Sequence, residues 1–388
     1  MSLQEIYDFM DGQYENMVHL WKEIVLIESD SNNVEGVNML ASHMDTYLLA
    51  MGMETQKYTF PHAGASVAAW TKERELKPIV LMAHMDTAYP KGVFGANLWQ
   101  RKLGVVYGGG VCEAKGGIVV AFIVAKALLQ AGYKKRQIKI LLSGDEEVAQ
   151  SLSDGGSMKL YTDHIPGAAV AFSCDPAAPN GDVVLQRKGA NFFKIKVHGA
   201  SAHTAKDPLK GINAIREACK ILERVESLSD YPEGAYCNCG KIKGGTAVNS
   251  VPDYCEITGL VRYPDEKVHT EIMDKIRAIC AHPEDERVTV EVEENSYYPA
   301  MVCTEKTEEL FGYYKKACQS LGYKAPQGLY SNEASAAAYA TKEGVPAICG
   351  CGVRGAEVHT LKEWAYEASM IENAKKIVAT ILSLPDDF

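Results

Sequence analysis

The chain has 388 residues, material for two or three domains at about 150 residues each, which excludes a mini-scaffold. With 47% hydrophobic and 23% charged residues its composition is that of a globular protein, neither disordered nor fibrous. Fifty acidic against 40 basic residues leave a formal charge of −10, which opposes binding to nucleic acid and to anionic membranes.

The amino-terminal run MSLQEIYDFMDGQYE is acidic and lacks a basic start followed by an apolar stretch, so no secretory signal is read and a cytoplasmic location is expected. From Pro78 to about Leu185, short apolar runs alternate with helical segments. Ile79 to Ala83, Ile138 to Ser143 and Ala168 to Ser173 read as strands, and Gly116 to Leu129 as a helix. That alternation predicts an α/β unit with a mostly parallel sheet, whose chemistry gathers at the carboxyl ends of the strands. The apolar stretch Ile118 to Ala125 stops at Lys126, short of the roughly 18 residues that span a bilayer, and no membrane partner is expected.

From about Lys188 the texture changes. Phe193, Ile195 and Val197 alternate with Lys194 and Lys196, and Cys255, Ile257 and Val261 with Glu256, Thr258 and Arg262, the pattern of a sheet exposed on one face. With helices at about Gly211 to Glu226 and Asp265 to Cys280, the order is β-α-β-β-α-β, which is ferredoxin-like. A helix near Glu305 to Leu321, an apolar run at Val345 to Cys349 and a terminal helix near Trp364 to Leu384 then resume the first pattern. The expected domains are 1–187 and 297–388 for a discontinuous catalytic domain, with 188–296 inserted as an α+β lid. Eleven cysteines, an odd number and scattered, suit reduced thiols, and the pairs Cys237/Cys239 and Cys349/Cys351 lack a second pair at zinc-site spacing and read as structural.

Several polar residues stand just past the predicted strands. His84 and Asp86 form an H-x-D run, in which Asp86 can hold one ring nitrogen of His84 while the other binds a metal. Alone, such a run also fits an ordinary polar loop. Asp145-Glu146-Glu147 fits either a solvated turn or a division of labour between a metal ligand and a general base. Asp175 before Pro176 fits a turn, and His359 by itself says little. Jointly, His84, Glu147, Asp175 and His359 all follow elements of one sheet, so their donors can converge on a zinc-type site. The glycine-rich run Tyr107 to Gly117 fails as a phosphate loop, because Ala114 and Gly116 flank Lys115 where glycine and a hydroxyl residue are needed.

In order, HMDT at His84, YGGGVCEAKGG ending at Gly117, GDEE ending at Glu147, CDP at Asp175, HGASAHTAKDPLKGINAI from His198, GGTAVNSVP around Asn249 and EVHTLKE around His359 resemble the dinuclear zinc peptidase family of glutamate carboxypeptidase, peptidase T and aminoacylase. The likeness runs from about residue 75 to the end and is closest to the glutamate carboxypeptidase branch, through LMAHMDTAYPKG and the motifs of the inserted domain. It implies a catalytic α/β domain holding two divalent ions, zinc with cobalt or manganese as substitutes, and a lid domain through which the chain forms a homodimer. It implies His84 and Asp175 on one ion, His359 and Glu147 on the other, Glu113 bridging them and Glu146 as general base. In the lid, His203 corresponds to the histidine that reaches the partner's active site to stabilise the oxyanion, and Asn249 and Arg262 to residues that hold a substrate carboxylate. His203 is alternatively a surface-loop histidine, and Arg262 an exposed strand residue.

Two departures stand out. The family has aspartate where this chain has Glu113, and a glycine-rich segment ending in aspartate where this chain has Tyr330 to Ala336, with Glu333 inside it. The expected protein is a metal-dependent hydrolase of a peptide or N-acyl amide bond next to a free carboxylate. Its alternatives are an N-acyl amino acid deacylase and a metal-poor relative that binds a ligand without turnover.

Overall fold

The run from Ile79 to Ala83 is apolar on both faces, as a strand covered from two sides must be. In the computed structural model, which describes residues 1–388 apart from the side chain of Asn295, it lies inside the strand Leu76–His84 and is completely or almost completely buried. The chain divides into two compact units, one of residues 1–186, 302–331 and 335–388, the other of residues 187–301 and 332–334.

The first unit is built on a six-stranded sheet in the order Glu54–Tyr58, Ser66–Trp70, Arg136–Ser143, Leu76–His84, Val170–Ser173, Ala347–Ile348. The last four strands run parallel to one another, and the first two are antiparallel. The sheet is therefore mixed, parallel over the stretch the alternation identified. Only the short connection 59–65 separates the first two strands, too short for a parallel crossover, so they form a hairpin. The helix Lys115–Gln130 is apolar all round and buried nearly throughout, because it packs between the sheet and the helices Tyr14–Leu26 and Ser369–Ser383.

One expected element is corrected. Trp364–Tyr366 is a strand hydrogen-bonded to Val105–Tyr107 in a four-stranded antiparallel sheet, and the terminal helix is confined to Ser369–Ser383. Ala365 is buried between the half-buried Trp364 and the exposed Tyr366, a period of two that the long helix after it hides in the sequence.

The second unit has the ferredoxin-like arrangement. Its four strands lie in the order Tyr236–Gly244, Tyr254–Tyr263, Gly189–His198, Thr289–Tyr298, all antiparallel. Phe193, Ile195 and Val197 are buried, on a strand that packs against the helix Ala214–Glu226, while the helix Glu266–Ala281 packs against the two neighbouring strands. On the opposite face Lys196 pairs across the strands with Glu293 at 2.5 Å and Lys194 with Glu256 at 3.8 Å. The Phe193 ring occupies the space a side chain at Gly259 would need, and Gly259 is its partner in the register.

Gly117 performs a similar service in the first unit. An added Cβ there would overlap the backbone carbonyl of Cys174, so the glycine lets the buried helix seat its first turn on the end of the strand Val170–Ser173. Gly117→Ala is expected to lower stability by about 1–3 kcal/mol, the usual cost of overpacking. Gly12→Ala, where nothing lies within 4 Å, should leave it unchanged or slightly raised. Denaturant midpoints of the two variants check this.

Candidate metal centre

His84 ends its strand with its ring 2% exposed. Nδ1 lies 3.0 Å from the backbone oxygen of Asp86 and 3.3 Å from its carboxylate, and Nε2 lies 2.9 Å from Glu113 Oε1. With Nδ1 carrying the proton toward Asp86, the lone pair of Nε2 faces the side where a metal would sit. The buried Asp86 carboxylate also accepts the Ser31 hydroxyl at 2.7 Å and the N–H groups of Glu146 and Glu147 at 3.1 and 3.0 Å. It thus ties the turn that carries both glutamates to the strand that carries His84.

Glu113 stands on the turn before the buried helix, and its peptide bond to Ala114 is cis. Asp175, past the strand Val170–Ser173, accepts the Ser335 hydroxyl at 2.5 Å and the Cys349 thiol at 3.0 Å. Donor atoms of His84, Glu113 and Asp175 all lie within 4.8 Å of one another, the one such group of three among the described residues. His359 adopts φ 61°, a conformation uncommon outside glycine, and its Nε2 is 3.1 Å from Glu147.

The electrostatics follow from crowding. Burial raises the pKa values of Glu113 and Glu146, the charges of Asp175 and Glu147 raise them further, and His84 opposes the rise. Burial would lower the pKa of His84, but Glu146, Asp86 and Glu113 outweigh it and hold the imidazole well above its ordinary value. The hydrogen bond to Glu147 pushes His359 up to about 9, with the Glu113 charge adding to it. Glu113 therefore acts on both histidines. A set of buried carboxylates that raises every nearby imidazole fits a divalent cation, and nitrogen with oxygen donors is a set that zinc and its neighbours accept.

Glu146, half-buried, has Oε1 3.3 Å from the N–H of Ala336, so the segment that departs from the family touches this acid through its backbone. Lys115 turns inward: its ammonium donates to the Ile27 carbonyl at 2.7 Å, and burial lowers it to about 7, so it is not offered to a phosphate. In the second unit, His203 and Asn249 sit on adjacent exposed loops, joined by the pairing of His203 with Ser250 and by Thr204 donating to the Asn249 carbonyl. Arg262 is half-buried on the strand Tyr254–Tyr263, with Nη1 lacking a hydrogen-bond partner among the described residues. Burial lowers its pKa and Glu333 opposes that. Three residues escaped the sequence. Ser335 and Cys349 reach Asp175, and Glu363 holds the Glu113 turn; only the proximity of Glu363 to His359 in EVHTLKE offered any signal.

Comparison with known proteins bears on the fold. The peptidase dimerisation domain of the M20 type matches residues 185–288. Carboxypeptidase G2 from Pseudomonas sp. (strain RS-16) is 24% identical over 369 residues, covering 93% of this chain and 87% of the relative. The crystal structure of aminopeptidase PepT from Bacillus cereus ATCC 10987 superposes with a TM-score of 0.75 at 20% identity, over 95% of this chain and 98% of that one. Bacillus subtilis YXEP, described as a dinuclear metal-binding peptidase of the M20 family, does so with a TM-score of 0.67 at 17% identity, over 96% and 99%. The chain thus shares the fold of M20-type peptidases, an α/β unit joined to the dimerisation domain, as its motifs led us to expect.

A divalent cation is expected to raise the thermal midpoint of the chelator-treated protein. At 100 times its dissociation constant the gain is about 2.7 kcal/mol. Glu113→Ala should abolish most of the rise, which scanning fluorimetry with and without metal measures.

Proposed function

We propose that this protein is a dinuclear metal-dependent hydrolase of a peptide or N-acyl amide bond adjacent to a free carboxylate. The observation that carries the reading is the convergence of His84, Glu113 and Asp175 within 4.8 Å, beside Glu146 and the Glu147–His359 pair. In it, His84 and Asp175 would hold one ion and His359 and Glu147 the other, with Glu113 available to both. Divalent ions bound there, zinc or in its place cobalt or manganese, supply the Lewis acidity that brings the ionisation of water toward neutral pH and polarises the scissile carbonyl.

Glu146 accepts the proton of the attacking water as its oxygen bonds to the carbonyl carbon, and returns that proton to the amine when the C–N bond breaks. Asp86 keeps the His84 proton on Nδ1 and keeps the Glu146 backbone in place. His203, donated by a second copy through the dimerisation domain, stabilises the oxyanion. Asn249 and Arg262 hold the substrate carboxylate. The unpartnered Nη1 of Arg262 supports that role, since a guanidinium suits a carboxylate through its fixed fork. An odd and scattered set of eleven cysteines suits a reducing cytoplasm.

A screen of dipeptides, tripeptides and N-acyl amino acids with added zinc, cobalt or manganese tests the activity directly, and no hydrolysis by the metal-loaded protein would refute it. Glu146→Gln should retain the metal and lose about 10²-fold to 10⁴-fold in kcat, whereas Glu147→Gln should weaken metal binding. Elemental analysis with steady-state kinetics distinguishes the two. Mixing the inactive subunits His203→Ala and Glu146→Gln should regenerate part of the activity, because one hybrid site carries both intact residues. Absence of recovery, with subunit exchange demonstrated by labelled chains, would remove His203 from a partner's site.

A further inference from the structure

Glu363, the last residue of the EVHTLKE run, is completely buried, yet the proposed reaction gives it no role. Its carboxylate accepts the backbone N–H groups of Gly110, Cys112 and Glu113 at 2.9, 2.6 and 2.8 Å, and the Tyr89 hydroxyl at 2.5 Å. Its own carbonyl accepts the N–H of Gly108 at 3.2 Å. The acid therefore clasps the turn 108–113 from within, and that turn delivers Glu113 to His84.

The attachments along the chain matter equally. His359 lies four residues before Glu363, and Tyr89 five residues after His84. One carboxylate thus joins the segments that carry His84, Glu113 and His359. Burying a carboxylate is costly, and here the cost is met by aligned donors of the turn that presents Glu113, with Tyr89 beside them. If Glu363 only filled space, an apolar residue would do so without desolvating a charge.

We infer that Glu363 is a positioning residue of the metal centre: by holding the N–H groups of the 110–113 turn it fixes where Glu113 stands between the two histidine-bearing segments, and so sets the affinity for divalent ions. This rests on the metal-binding reading proposed above. Glu363→Gln keeps the shape but turns an amide group toward backbone donors, so the turn loses part of its anchor. Tyr89→Phe removes a single donor and leaves the turn attached.

The test is a titration of the full chain, stripped by chelation, with zinc in competition with a chromophoric chelator, alongside the thermal midpoint of the metal-free form. Wild type, Glu363→Gln, Tyr89→Phe and Ile276→Val are compared, the last being a remote and mildly destabilising core change in the second unit. The expected result is a loss of about 10-fold to 100-fold in affinity for at least one ion in Glu363→Gln, a smaller loss in Tyr89→Phe and none in Ile276→Val. Unchanged affinity in Glu363→Gln, or a loss no larger than in Ile276→Val, overturns the inference. If Glu363→Gln does not fold, Tyr89→Phe decides, and unchanged affinity there overturns it. A wild-type chain that binds no zinc fails the metal-binding reading itself, a result separate from any difference among variants.

Discussion

Five carboxylates, those of Asp86, Glu113, Glu146, Glu147 and Asp175, converge around two imidazoles at one end of a buried sheet, and low-dielectric surroundings do not tolerate that surplus of negative charge. It raises the pKa values of both His84 and His359. A multivalent cation would answer it, so the site's chemistry and its stability share one cause. The fold prepares for this by using carboxylates as acceptors from within. Asp86 takes two N–H groups of the 146–147 turn, and Glu363 takes three from the 110–113 turn. Asp86 and Glu363 thus have fixed directions before any ligand arrives.

That arrangement depends on parallel strands. Leu76–His84, Arg136–Ser143 and Val170–Ser173 run the same way and end within two residues of one another, with His84 opposite Ser143 and Met82 opposite Ser173. Residues one to four positions past three strand ends are therefore neighbours in space although they are far apart along the chain. The glycines before the buried helix complete the geometry, since Gly117 allows backbone contact with Cys174, next to Asp175. A bulkier helix start would hold Glu113 and Asp175 apart.

What the sequence disclosed follows from the range of each interaction. Alternation of Phe193, Ile195 and Val197 with two lysines is local, so the ferredoxin-like sheet was legible, as were the strand ends and the acids just beyond them. The strand Trp364–Tyr366 was not, because three residues carry too little period to stand out before a helix, and its partner Val105–Tyr107 lies more than two hundred residues away. Ser335, Cys349 and Glu363 were illegible for the same reason: each acts through a contact with a distant segment, and none differs locally from an ordinary polar residue. The C-x-C pair containing Cys349 read as structural, and its thiol contributes a hydrogen bond to Asp175.

The two departures from the resembling family can be understood on the same terms. Glu113 carries one methylene more than aspartate, while its backbone is held by Glu363 through its own N–H and those of Gly110 and Cys112. The extra length must therefore be taken up by the side chain. Its carboxylate still reaches Nε2 of His84 at 2.9 Å, and its charge is still felt at His359. At the second departure, Ala336 has no side-chain polar group, but its N–H meets Glu146 at 3.3 Å, and Ser335 beside it supplies a hydroxyl to Asp175. In both places the backbone, fixed by buried carboxylates, keeps charge and donors where the chemistry needs them. The residue type has changed while the local electrostatic demand is still met.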